Sequence, residues 1–340
     1  MSDMVGWDIG GAHLKAVLLD GKSETINILQ LSCQLWRGLN QLEVAITAAL
    51  QAFKIKPGDA QHAVTMTGEL VDLFPNRHTG VIEISAAVAR LLGKDVLFYA
   101  ADSGFVAIER VSADTAHIAS TNWHASASAL AMHVKDAVLI DIGSTTTDII
   151  AIVAGRMAKN GLSDASRMQA DSLVYTGVVR TPVMALAQKL PFEGIETNVA
   201  AEYFATMADV YRLTGELRPE SDMADTADGK GKSELESARR LARMVGHDAE
   251  DKPLQVWKSL ANTCRALQLN QIRTAVLKHL KPGMIIIGAG AGSFLVKALA
   301  DDLGYDFKHV WEPISMGCAE QADLEICFPA YAVAYLAAKR

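Results

Sequence analysis

Two short segments of the chain carry residue types suited to holding anions and divalent cations. Trp7-Asp8-Ile9-Gly10-Gly11-Ala12-His13-Leu14-Lys15 has a counterpart in Ile140-Asp141-Ile142-Gly143-Ser144-Thr145-Thr146-Thr147-Asp148. A carboxylate at a strand end beside a glycine turn can hold Mg2+ through water, and the turn's N–H groups and short hydroxyls can receive phosphate oxygens. Asp8, Asp141 and Asp148 are therefore candidate metal ligands, and Gly10, Gly11, Gly143, Ser144, Thr145 and Thr146 candidate phosphate contacts. Lys15 would bring a cation to the first turn if its strand bends back over the anion. Taken singly, the second turn also fits a polar hairpin whose threonines favour strand, and Lys15 also fits a surface lysine. The repetition weighs against both plainer readings.

Three further groups could do chemistry. Gly288-Ala289-Gly290-Ala291-Gly292 follows an apolar run and precedes a helical pattern, so its N–H groups could receive a phosphate or pack under a base. Ser293 stands where a dinucleotide fingerprint needs its third glycine, and a tight strand-to-helix turn is the alternative. Arg180-Thr181-Pro182 has the order of a capped helix start with a cation beside it, suited to seating an anion or simply to starting a helix. Asn122-Trp123-His124 could offer a stacking surface and polar contacts, or Trp123 could be packing. The nine histidines show no metal-ligand spacing, which leaves His78 and His124 as candidate polar contacts and proposes no iron or zinc site.

The elements that must position these residues are legible as alternating patterns. Residues 4–9 and 13–19 read as strands around the Gly-Gly turn, and Asp20-Gly21 then signals a hairpin into residues 25–31. A helix at 39–53, a strand at 62–67, a helix near 81–92 and a strand at 95–100 follow, an α/β alternation. The strand pair 137–141 and 148–153 restarts the pattern, and aligning the turns pairs Asp8 with Asp141, Gly10 with Gly143 and Lys15 with Asp148. That is the mark of an internal duplication. Helices are expected at 198–213, 234–246, 254–279, 293–303 and 327–338, with a strand at 283–288 and an exposed loop or lid at 219–232.

The bulk figures bound the answer. At 340 residues, and roughly 150 residues per domain, two domains are expected. We place them at 1–135, with 326–340 packing back on it, and 136–325, with a helical insertion near 198–250. Half the residues are hydrophobic and 21% are charged, which excludes a disordered or collagen-like chain. A net charge of −7 without a basic stripe argues against nucleic acid as the main partner. No run approaches the ~20 apolar residues of a membrane span, and no leader pattern opens the chain. Cys33, Cys264, Cys318 and Cys327 have neither zinc-site nor redox-pair spacing. A cytoplasmic protein acting on small molecules, with a homodimer left open, is the expectation.

The two Asp-Ile-Gly turns and the glycine run, in this order, resemble the phosphate 1, phosphate 2 and adenosine motifs of the actin, sugar kinase and Hsp70 superfamily. The resemblance implies an α/β, two-lobed, duplicated ribonuclease H-like fold with a central cleft. Thr65-Met66-Thr67-Gly68-Glu69-Leu70, Asn122-Trp123, residues 141–148 and Thr176-Gly177-Val178-Val179-Arg180-Thr181-Pro182 look like the hydantoinase/oxoprolinase branch. More narrowly, the chain is similar to tetrahydromethanopterin-linked C1-transfer proteins, whose archaeal relatives are methanofuran-biosynthesis synthases.

That resemblance implies a transferase in which the phenol of a γ-glutamyltyramine or tyrosine-type acceptor displaces diphosphate from an (aminomethyl)furanylmethyl diphosphate, with Mg2+ as cofactor. Ala12 and His13 stand where superfamily kinases commonly place a hydroxyl, which favours diphosphate holding over phosphoryl transfer. A phenol of pKa about 10 is only ~0.1% ionised at neutral pH, so the reaction needs a base or a positive field. Glu69 and Asp102 are the candidate bases, each also suited to a structural hydrogen bond. Asp8, Lys15 and Asp141 complete the catalytic set, and Arg180 the phosphate set. Thr67, Asn122, Trp123, Gly288, Gly290 and Gly292 are the candidate substrate or nucleotide contacts. Two alternatives stand beside it: an ATP-dependent kinase or ATP-coupled amidohydrolase, and a non-catalytic nucleotide-responsive scaffold.

Overall fold

A computed structural model describes residues 2–158, 161–314 and 321–340. The chain divides into two units: 1–137 with 150–170 and 308–340, and 138–149 with 171–307.

The first unit opens with β1 (Met4–Ile9), β2 (His13–Leu19) and β3 (Thr25–Ser32), an antiparallel meander. Helix α1 (Asn40–Phe53) carries the chain over to β4 (Gln61–Met66), which runs parallel to β1, and α2 (Arg77–Leu92) leads to β5 (Leu97–Tyr99), parallel to β4. β6 (Phe105–Val106) closes the edge, giving the order β3-β2-β1-β4-β5-β6. α3 (Val111–Ile118) and α4 (Asn122–Ala131) follow.

Every residue of β1 is buried because helices cover both faces of the sheet. Val5, Trp7 and Ile9 join the core with Leu42, Ile46 and Val81 of the first two helices. The opposite face meets the C-terminal helix, apolar all round, which packs on β1, β2, β4 and α4. It comes so near that a Cβ on Gly6 would lie 1.9 Å from the carbonyl oxygen of Ala330.

β7 (Ala137–Ile142) and β8 (Thr147–Val153) repeat the opening hairpin, and β9 (Arg156–Met157) pairs with the end of β8. After α5 (Asp164–Gln169) comes β10 (Leu173–Val174), then the ribbon β11 (Lys189–Phe192) with β12 (Ile195–Asn198). The helices α6 (Met207–Thr214), α7 (Glu234–Arg243) and α8 (Leu254–Val276) pack on one another. β13 (Ile285–Ala289), α9 (Ser293–Leu303), β14 (Phe307–His309), α10 (Gln321–Ile326) and α11 (Phe328–Ala338) complete the chain. The second sheet runs β10-β8-β7-β13-β14, the same sequence of roles as β3-β2-β1-β4-β5, as the expected duplication requires.

Two expectations need correction. The helix expected at 198–213 begins only at Met207, because residues 195–198 pair with β11 and Thr206 forms a capping box with Asp209. The segment 219–232 is tied down instead of forming an open lid. Asp222 holds Arg212 through paired bonds of 2.7 Å, and Asp228 meets the fully buried Arg240 at 3.0 Å. Acidic composition here reflects ion pairing with α6 and α7. Among the described residues no helix is long and apolar enough to cross a membrane. Cys33, Cys264 and Cys327 are free and buried, and Cys318 lies outside the described residues.

Candidate active site

Each Asp-Ile-Gly turn is closed by the same bond: Gly10 N–H donates to His13 O at 2.9 Å, and Gly143 N–H to Thr146 O at 2.9 Å. The likeness between the turns is thus conformational as well as sequential.

In the first unit, Asp8 is buried, with Lys15 directly opposite it on β2 and the Lys15 Nζ 3.4 Å from Asp8 Oδ2. Lys15 therefore pairs with Asp8 while keeping a 21% exposed side chain. The Thr67-Gly68-Glu69 segment is locked onto this turn. Thr67 N–H donates to Ile9 O at 2.9 Å, and a Cβ on Gly68 would lie 3.3 Å from Gly10 O. Gly11 is pressed against Val71, whose Cγ1 would lie 2.7 Å from an added Cβ.

Glu69 follows in that turn and is 1% exposed. Its Oε1 accepts from the Ser120 hydroxyl at 2.7 Å, while Oε2 is buried with no hydrogen-bond partner. Burial pushes the carboxyl up to about 7, against the Ser120 bond and the residue's own backbone N–H, both of which pull it down. Asp164 raises it further and Arg77 lowers it, these two being paired to each other at 2.7 Å. Gly80 of α2 is what admits the turn, since a Cβ there would stand 2.7 Å from Glu69 O.

Asp102, the other candidate base, is 64% exposed on the side chain and lies 3.4 Å from His124 Nε2. His124 Nδ1 in turn meets the Tyr99 hydroxyl at 2.8 Å. Burial keeps His124 below its ordinary value and pushes Tyr99 up to about 12, so this chain ends in a neutral phenol. Trp123 is not an open stacking platform: the Arg167 guanidinium sits 3.9 Å from its ring centroid. Its buried Nε1 has no partner. Asn122 accepts from Trp123 N–H at 2.8 Å, and His78 meets Thr115 at 2.9 Å, a tie between α2 and α3.

In the second unit, residues 176–181 build the turn's support. Val178 N–H donates to Gly143 O at 3.0 Å, and Arg180 N–H to Ser144 O at 2.8 Å. A Cβ on Gly177 would lie 2.5 Å from Thr145 N, so only glycine allows this approach. Gln268 of α8 holds the segment through Thr176 Oγ1 at 2.8 Å and Gly177 O at 2.9 Å. Thr181 accepts from Gly177 N–H at 2.8 Å, and only a single 3-10 turn follows Pro182. The expected helix cap at Arg180-Thr181-Pro182 is therefore a loop brace, and Arg180 is exposed beside the turn.

At the tip, Thr145 and Thr146 are half-buried, and Ser144 Oγ is buried without a partner. Asp148 is buried on β8 opposite Leu173. Asp141 is half-buried at the end of β7, and Gly290 is pressed on it, an added Cβ falling 2.3 Å from Asp141 Oδ1. Gly288 is pressed likewise on Phe307, and Gly292 on Ile142. Gly290 also has φ of 80°, so close packing and, at that position, a left-handed backbone both call for glycine. Among the described residues no three His, Cys, Asp or Glu side chains gather to hold a metal. An oxygen ligand such as Asp141 instead suits Mg2+ bound largely through waters and phosphate oxygens.

A sequence model of the hydantoinase/oxoprolinase family matches residues 61–334. The chain belongs to this family. Within the family's reach lie Glu69, Ser120 and the whole second turn. The chain is 29% identical over 343 residues to the (4-{4-[2-(gamma-L-glutamylamino)ethyl]phenoxymethyl}furan-2-yl)methanamine synthase of Methanocaldococcus jannaschii, covering 99% of this chain and 98% of that one. It is 31% identical over 160 residues to the synthase of the same name from Methanococcus vannielii, covering 46% and 72%. Among solved structures it is similar to nucleotide-free acetone carboxylase, with a TM-score of 0.59, 11% identity and coverage of 97% and 70%. It is also similar to the activator of the 2-hydroxyisocaproyl-CoA dehydratase from Clostridium difficile, with a TM-score of 0.51, 10% identity and coverage of 99% and 96%. These likenesses establish the fold class, an α/β fold of the actin/sugar kinase/Hsp70 kind.

Proposed function

We propose that the protein is a synthase of methanofuran-type C1-carrier biosynthesis, a transferase that joins the phenol of a γ-glutamyltyramine or tyrosine-type acceptor to an (aminomethyl)furanylmethyl group and releases diphosphate. The observation that carries this reading is the end-to-end match to the Methanocaldococcus jannaschii synthase, whose name describes a phenoxymethylfuran, the product of such a joining.

The chemistry asks for a proton acceptor near pH 7 and for anion contacts. Glu69, held near 7 by burial, suits removal of the phenolic proton. Within the first unit, Lys15 and the Gly10-Gly11 turn are suited to anion contacts, and within the second unit so are Gly143, the Ser144 hydroxyl, Thr145 and Thr146. Asp141 would hold Mg2+, which when bound neutralises charge on the leaving diphosphate. Incubation of the protein with Mg2+, γ-glutamyltyramine and the furanylmethyl diphosphate tests the reading. Aryl ether and diphosphate in equal amounts support it; ATP consumption without any need for the furan substrate would refute it.

A further inference from the structure

Ser120 stands in the three-residue link between α3 and α4, with φ of 53°. This is the left-handed region, where glycine sits without strain and another residue costs about 1–3 kcal/mol. A serine here is locally the wrong residue. It is also 4% exposed, so it gains nothing from solvent. What serine has and glycine lacks is the hydroxyl, and that hydroxyl donates to Glu69 Oε1 at 2.7 Å across 51 positions of sequence.

The consequence falls on the other carboxyl oxygen. With Oε1 pinned, and the Glu69 backbone wedged against Gly80, Oε2 is fixed in a buried position where it has no partner. An unmet buried carboxyl oxygen destabilises the free protein by roughly 1–3 kcal/mol or more. A buried carboxyl oxygen left in this state is open to a hydroxyl donor brought by a ligand. Strain at Ser120 and an unmet oxygen at Glu69 are two departures from local stability meeting in one hydrogen bond, the pattern of a preorganised reactive group.

We propose that Ser120 is a positioning residue that aims Glu69 Oε2 at the hydroxyl of the aromatic acceptor, making Glu69 the base of the reaction in preference to the exposed Asp102. This inference rests on the function proposed above. The acceptor O–H bond breaks and its proton moves to Oε2. The freed oxygen pair forms the bond to the furanylmethyl carbon as that carbon's bond to diphosphate breaks, and the bonding pair leaves with the diphosphate. The proton on Glu69 then passes to diphosphate or water, restoring the carboxylate. Because Oε2 is shut off from solvent in this conformation, the acceptor reaches it only when neighbouring side chains move. The charged groups that act on it are the Arg77 of α2 and the Asp164 of α5.

The test compares Ser120→Gly, which relieves the backbone, with Ser120→Ala, which does not; both remove the hydroxyl. Two readouts are taken: the pH dependence of ether formation, and the titration of the Glu69 carboxyl followed as the infrared difference against Glu69→Gln. Wild type should titrate near 7. Both Ser120 variants should titrate higher, their acidic rate limb should move by the same amount, and kcat should fall ~10-fold or more with little change in KM. Unmoved titration and rate profiles in Ser120→Gly would overturn the assignment, as would Glu69→Gln that turns over normally. A shifted titration in a protein that makes no aryl ether would overturn the proposed reaction, and with it Glu69 as its base, while showing that Ser120 still sets the Glu69 carboxyl.

Discussion

Ser120 donates its hydroxyl to Glu69 at 2.7 Å from a left-handed backbone, and the bond leaves the second oxygen of that carboxyl buried and unmatched. The arrangement ties a stability penalty to a chemical capacity, and the penalty has a sign that can be measured.

Burial pushes the Glu69 carboxyl up to about 7 in the folded protein, against an ordinary value of 4.5. A carboxyl raised on folding stabilises fully below 4.5, and that contribution is lost as pH climbs towards 7. Glu69→Gln should therefore be more stable than wild type at pH 8, by about 3 kcal/mol, and little more stable at pH 4.5. Chemical denaturation at the two pH values checks this. Ether formation should fall ~100-fold or more in the same variant.

Arg77 and Asp164 pull the Glu69 carboxyl in opposite directions, so removing each should move the acidic limb of the pH–rate profile oppositely. Arg77→Met should raise the limb and Asp164→Asn should lower it, each by up to about one unit. Shifts in the same direction would show that the pair acts through structure and not through its field.

Trp7 donates its indole N–H to His62 Nδ1 at 3.2 Å, and His62 Nε2 donates to Pro57 O at 2.8 Å. This holds His62 neutral, and burial keeps its value below the ordinary 6.5. The unfolded chain takes up a proton below 6.5 and the folded chain resists it, so the His62 contribution to stability should fall as pH drops through that value. Because Glu69 acts in the opposite sense over this range, the readout is a difference: denaturation followed by Trp fluorescence should show His62→Gln gaining stability relative to wild type as pH falls below 6.5.

Gly6 has no room for a side chain, with Ala330 O at 1.9 Å and Ala334 Cβ at 2.8 Å from an added Cβ. Gly6→Ala should destabilise by about 3 kcal/mol or more, because the obstructing atoms belong to a helix backbone that cannot rotate away. An unchanged denaturation midpoint would contradict the packing of α11 on β1.

The hairpins, the duplication and the final helix were legible because local patterns encode them: alternation in β1 and β2, Gly-Gly and Gly-Ser turns, an unbroken apolar run at 328–338. Glu69 was legible as a base candidate from its turn. Its partners were not, since Ser120-Thr121-Asn122 reads locally as a helix cap, and nothing in the order of residues links position 120 to position 69. The same distance hid Gln268, whose amide secures Thr176 and Gly177 from 92 and 91 positions away. Thr181-Pro182 misled for a related reason. Cap chemistry was present, but Thr181 spends its hydroxyl on Gly177, and the chain turns into a ribbon instead of a helix. In 219–232 the acidic composition suggested solvent, while its carboxylates had buried arginines to meet.

In the proposed reaction the protein forms an aryl ether at the expense of a furanylmethyl diphosphate. The most direct measurement is mass-spectrometric detection of product after incubation with Mg2+, γ-glutamyltyramine and (aminomethyl)furanylmethyl diphosphate, with and without ATP. The account predicts the phenoxymethylfuran and one diphosphate per ether, with no requirement for ATP. No ether under these conditions, together with ATP-dependent change of the phenolic substrate alone, would contradict it.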